Sequence, residues 1–186
     1  MKITNQDKVI LLSFIALGFL TRTVFTIGPN VEFVTIASLG AGYFMNNKKF
    51  ALIVPLIIMS LSDAVIGNTS IFLFTWSAFL ITPLIGIVLS KSDKKDSKYF
   101  ATLAGFGGSI LSVLIFFLWT NFGVVVTTAM YPDTVSGLIN SYINALPFLK
   151  NQLYGNMIFA PIIFTLVSLL KDLYENKTRS LKISFS

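Results

Sequence analysis

The sequence predicts an all-α polytopic membrane protein: six transmembrane helices and a short amphipathic helix on the outer face, in one domain. Three observations carry this reading. The 186 residues are 54% apolar and only 12% charged, whereas a soluble domain carries roughly a quarter charged residues. Mean hydropathy is +0.79. The apolar residues fall into runs near the length of about 20 residues that a helix needs to cross a hydrocarbon core of about 30 Å, separated by short polar connections.

The predicted spans are 9–27, 31–45, 50–66, 71–89, 99–120 and 151–170. The second is the weakest, being short and rich in small residues. Gly28-Pro29-Asn30, Asn46-Asn47-Lys48-Lys49 and Gly67-Asn68-Thr69-Ser70 break the chain between the first four spans. Residues 91–98 (KSDKKDSK) form the most hydrophilic loop. Lys2 and Lys8 precede the first run, as in a signal peptide, but the run continues towards Arg22 without a small-x-small cleavage site, so it reads as a retained helix.

Charge placement orients the spans. With the N-terminus inside, twelve of the fourteen basic residues fall in cytoplasmic segments, leaving Lys150 outside and Arg22 within a helix. This places the chain in a cell membrane with both termini cytoplasmic. The net charge of +6 is thereby a matter of topology and not of nucleic-acid binding.

The stretch 131–150 reads as more than a loop. Tyr131-Pro132 turns into a helix start with Asp133 or Thr134 as N-cap. Leu138, Ile139, Tyr142, Ile143 and Leu146 recur at helical spacing, opposite a polar stripe of Ser136, Asn140 and Asn144. The expected amphipathic helix covers 134–146, is ended by Pro147, and lies flat or folds back over the bundle. Small-xxx-small pairs in the second span (Ala37, Ser38, Ala41, Gly42) and the fifth (Ala101, Ala104, Gly105, Gly108) mark close helix packing.

Several chemistries are excluded or unsupported. With no cysteine and no histidine, disulfides, thiol nucleophiles and Cys/His metal sites are absent. No HExxH, phosphate-binding glycine loop or second acid beside Asp63 appears, so neither an enzyme nor a cofactor is expected. The halves do not repeat, which disfavours an inverted-repeat transporter.

Polar side chains inside a membrane are costly, so their depth is informative. Arg22 and Asp63 each lie about 20 Å from the inner ends of the first and third spans at 1.5 Å per residue. Asn121 closes the outer end of the fifth span. Asn151, Gln152 and Asn156 open the sixth, the last two sharing a face at i, i+4. Glu32, Trp76 and Trp119 are also near the outer side, whereas the inner halves are aliphatic, aromatic or small. This asymmetry predicts a polar pocket open to the outside and closed below. Arg22 and Asp63 are open to two readings, a structural pair or ligand contacts, and Arg22 to a third, snorkelling to the outer headgroups; the tryptophans are either interface anchors or stacking platforms.

The strings Pro29-Asn30-Val31-Glu32-Phe33, Ala41-Gly42-Tyr43-Phe44 and Leu61-Ser62-Asp63 resemble an uncharacterised bacterial six-span family. Thr120-Asn121-Phe122-Gly123, Tyr131-Pro132, Gly137-Leu138 and Ala145-Leu146-Pro147-Phe148 follow in the same order. That family is similar to the substrate-binding S components of energy-coupling factor (ECF) transporters. The resemblance implies an S-component-like bundle that binds a vitamin-like solute near its outer face. It also implies a transmembrane coupling subunit and two cytoplasmic ATPases as partners. The first span departs from the small-residue docking pattern of such subunits, offering only Ser13, Ala16 and Gly18.

The candidate solute-binding residues are therefore Arg22, Asp63, Trp119, Asn121, Asn151, Gln152 and Asn156. The alternative is a structural or scaffold protein of the envelope, whose polar residues pair with each other and leave no cavity. The first reading predicts that a vitamin and nucleobase panel contains a compound that thermally stabilises the purified protein, and that Asp63→Ala or Asn121→Ala weakens the effect. A thermal-shift series on wild type and both variants checks this.

Overall fold

A computed structural model describes residues 3–25, 31 and 33–184, with side chains described through residue 174. The described residues form six helices and no strand: α1 (Asn5–Thr23), α2 (Val34–Phe44), α3 (Lys48–Ile66), α4 (Phe72–Leu89), α5 (Lys98–Thr127) and α6 (Val135–Ser184). Four of these, α3 to α6, are long and apolar enough to cross a membrane. Only 28–39% of each such stretch is buried within the protein. Outward-facing residues such as Val9, Leu73, Val88, Leu118 and Ile158 are exposed and apolar, the surface expected of a chain whose solvent is lipid. These properties mark a membrane protein.

Local chemistry sets the boundaries. Thr4 caps α1, its hydroxyl accepting from the Asp7 N–H at 3.0 Å, and Asn47 caps α3 by accepting from Lys49 N–H at 3.2 Å. Gly67 ends α3 with φ of 85°, a conformation that favours glycine. Thr134 caps α6, accepting from Gly137 N–H at 3.1 Å.

Several expected boundaries need correction. The first helix ends at Thr23, short of 27. Asn121 does not close the fifth helix, which runs on to Thr127. Pro147 does not end a separate helix; it lies inside α6 with Pro161. Proline removes one donor and frees the carbonyl four residues back, which a helix packed along its length tolerates. The stretch 134–146 therefore does not lie flat. It forms the first turns of α6, antiparallel to α5, with the Tyr142 hydroxyl donating to the Leu118 carbonyl (3.0 Å) and Ser141 Oγ to the Asn121 carbonyl (3.2 Å). The turn expected at Gly28-Pro29-Asn30 and the position of Glu32 lie outside the described residues.

The architecture is a ring of helices around α2. All eleven residues of α2 are buried, and α2 touches all five other helices. α1 and α6 have no Cα atoms within 8 Å of each other among the described residues. There Phe14 and Phe164 both lie against Gly40 of α2. At one end, here the basic end, interlocks are dense. Asp7, fully buried, accepts from the backbone N–H groups of Asn46 (2.8 Å) and Asn47 (3.3 Å). Lys48 Nζ donates to the Gly42 and Tyr43 carbonyls that end α2. The Tyr43 hydroxyl donates to the Lys95 carbonyl (2.8 Å).

Because lipid is as apolar as leucine, such helices associate by close packing rather than by hydrophobic transfer. The small residues serve that purpose within this one bundle. Gly42 of α2 lies against the Pro83 carbonyl of α4, and Gly86 of α4 lies against the Leu39 carbonyl of α2. Gly105 and Gly108 of α5 receive Phe164 and the side chains of Leu39 and Leu89. Gly86→Val therefore forces two backbones apart and lowers stability by about 3 kcal/mol or more. Gly107→Ala, where an added Cβ meets nothing within 4 Å, leaves stability unchanged or raises it by up to about 1 kcal/mol. Thermal unfolding of the two variants in detergent distinguishes them.

Candidate functional site

The pocket end of the ring, opposite the basic end, holds a cavity of about 780 Å³. Its walls come from the end of α1 (Thr21, Arg22), residue Val31, the end of α3 (Ile66), the first turns of α4, the pocket-end half of α5 and the first turns of α6. No residue of α2 lines it. The reason is length. α2 has eleven residues, about 16 Å at 1.5 Å per residue, whereas the nineteen of α3 reach about 28 Å. The central helix stops short of the pocket end, and among the described residues the cavity begins beyond it. Phe79 and Phe116, with ring centroids 4.8 Å apart, are the lining residues of α4 and α5 nearest the basic end. Together with Thr21 and Gln152 they form the floor.

The wall at Arg22 is built from three helices. Arg22 Nη2 lies 2.9 Å from Asp63 Oδ1. This is a charge contact and not an aligned hydrogen bond, since Oδ1 accepts none among the described residues. Arg22 Nη1 donates to Ser62 Oγ (2.9 Å) and also meets Met59 Sδ. Asp63 Oδ2 accepts from the Trp76 indole N–H at 2.8 Å, which ties α4 to the pair. The α1 end is also joined to the start of α2, where Phe33 N–H donates to Thr21 Oγ1 (3.3 Å).

Of the seven expected binding residues, the structure brings Arg22, Asn121 and Gln152 to the cavity. Asp63 stands behind Arg22 and does not line it. Trp119 sits on the outer perimeter, its indole N–H donating to Ser77 Oγ (2.8 Å) and its ring beside Phe74 and Phe122. Asn156 lies one turn below Gln152, its Nδ2 donating to the Gln152 carbonyl (2.9 Å) and its Oδ1 unpartnered among the described residues. Asn151 does not line the cavity.

Sequence reasoning missed Thr75, Ser141, Tyr131 and the phenylalanines 79, 116, 117 and 148, all of which line the cavity. Hydroxyls and aromatics occur throughout membrane helices, so no sequence signal separates these from packing residues. Asn144, read as part of a surface stripe, also lines the cavity and donates to the Tyr131 hydroxyl (3.2 Å). Asp7, an acid beside the first span with no motif to mark it, is buried at the basic end, away from the cavity. Among the described residues no group of three acids exists that could hold a metal ion.

The fold and cavity define a helical membrane protein with a chamber at one end of its bundle. The chain belongs to a family of unknown function (DUF6580), which matches residues 2–179. That family's description carries no activity and no link to ECF S components. No curated protein and no solved structure matches the chain.

Removing one partner of a buried ion pair strands the other. Arg22→Ala leaves Asp63, whose side chain is 6% exposed, without its cation, and lowers stability by about 3–5 kcal/mol. The double variant Arg22→Met/Asp63→Leu removes both charges and recovers most of that loss. A double-mutant cycle of thermal stabilities measures the difference.

Proposed function

We propose that this chain is the membrane-embedded solute-binding subunit of an ECF-type uptake transporter, taking a small vitamin-like molecule from outside a bacterial plasma membrane. The observation that carries the reading is the chamber beyond the short α2, where Arg22, Asn121, Asn144 and Gln152 stand among apolar residues and Phe79 and Phe116 form the floor. A volume of about 780 Å³ falls within the range of small-molecule sites. A scaffold protein has no use for such a chamber.

Charge supplies the direction. Lys48, Lys49 and the lysines of 91–98 lie at the basic end, away from the cavity. Basic residues stay cytoplasmic, so the chamber opens outward and both termini lie inside. In this reading α1 and the short α2 complete six crossings. A transmembrane coupling subunit docks on the exposed face of α1, where Ser13 and Ala16 point outward beside Leu12. Gly18 is not part of that face, because it is covered by Ile58. Toppling of the bundle, driven by two cytoplasmic ATPases, then delivers the solute inside. The chain itself performs no chemistry.

Mild detergent extraction of the tagged protein from its native membrane, followed by mass spectrometry, tests the class. A stoichiometric coupling subunit and paired ATPases are the expected companions. Purification of the chain alone, under conditions that keep known multisubunit membrane complexes intact, counts against the transporter reading.

A further inference from the structure

The chamber's own residues narrow the class of molecule it takes; this inference rests on the binding reading above. Three observations bear on it. The first is charge. Among the described residues that line the cavity, Arg22 is the only one with a full charge, and Asp63 lies 2.9 Å from its guanidinium. An anionic ligand has to displace or share a carboxylate already in place. A cationic ligand meets Arg22 and, among the described lining residues, no acid. In a low-dielectric chamber both are disfavoured, and a neutral ligand is not.

The second is Gln152. It is 5% exposed and lies on the cavity floor. Its backbone carbonyl accepts from Asn156, and among the described residues its side-chain amide has no hydrogen-bond partner. Gln152 lines the cavity, so its amide is placed to exchange solvent for a ligand's hydrogen bonds. The carboxamide offers a donor and an acceptor side by side, the complement of a cis-amide edge. Asn121 and Asn144 spend their Nδ2 groups on Phe117 O (2.8 Å) and Tyr131 Oη (3.2 Å), which leaves each an acceptor oxygen for a ligand N–H.

The third is shape. Phe79 and Phe116 make an aromatic floor, and Phe117 and Phe148 add apolar wall, surfaces suited to a flat ring.

We propose that the chamber binds an uncharged, planar heterocycle bearing a lactam edge, and that Gln152 reads that edge as the specificity-determining residue. Both partners of the amide are then satisfied, and discrimination comes from groups left unpaired when the edge is missing.

Calorimetry and thermal shift on the full-length protein in detergent test this with three neutral lactams (uracil, hypoxanthine, lumichrome), with orotate as the carboxylated counterpart of uracil, and with benzylamine as a cation. A lactam is expected to bind, with orotate and benzylamine weaker. Gln152→Leu is expected to weaken lactam binding by roughly tenfold or more without lowering the ligand-free melting temperature, because its side-chain amide holds no hydrogen bond among the described residues. A purely structural Gln152 would lower it. Gln152→Met repeats the comparison with an unbranched side chain. Tighter binding of orotate than of uracil, or wild-type lactam affinity in both variants, overturns the lactam assignment and leaves the binding reading standing. Failure of every compound of every charge to bind overturns both.

Discussion

The contact on which the chamber depends is the pairing of Arg22 with Asp63. A guanidinium and a carboxylate are each unaffordable alone in a hydrocarbon environment, so the bundle brings them together and braces them. Ser62 shares the arginine, and the Trp76 indole shares the aspartate. One pair thus locks α1, α3 and α4 at the pocket end. It also sets the electrostatics of the cavity wall, because Arg22 faces the chamber with its charge already answered from behind.

The second constraint is the length of α2. A short helix with no exposed residue has no lipid-facing surface of its own and exists only as the core of its neighbours. Its glycines and those of α4 let backbones touch, and the ends of α2 are satisfied from outside the helix. Lys48 takes the last carbonyls and Thr21 takes the Phe33 N–H. The basic end is packed and cross-linked by Asp7 and Tyr43. At the pocket end no described residue of α2 reaches the cavity, which is lined by the five surrounding helices together with Val31, Met130 and Tyr131. Rigidity at one end and a chamber at the other follow from a single truncated helix.

The correction at Pro147 has a consequence for the site. If 134–146 lay flat over the bundle it would roof the cavity. As the first turns of α6 it is a wall instead, supplying Ser141, Asn144 and Ala145 to the lining, and Gln152 follows on the same helix. Proline here costs one hydrogen bond, which packing against α5 outweighs. Sequence rules for proline describe a helix in isolation; the long antiparallel partner decides otherwise.

What the sequence by itself determined is what composition and the cost of charge determine. It contains a mostly helical membrane chain, the close-packing glycines and the existence of expensive polar groups that need partners. Arg22 and Asp63 were legible for that reason, since few charges interrupt the spans and each demands an answer. Tertiary structure alone decided which way side chains face. Trp119 and Gln152 look equally promising as letters, yet one points to the perimeter and the other to the chamber floor, because helix rotation is set by packing against neighbours and leaves no mark on hydropathy. The chamber itself was also a tertiary decision: a cavity is the place where no residue sits, and only the relative lengths and positions of six helices create one.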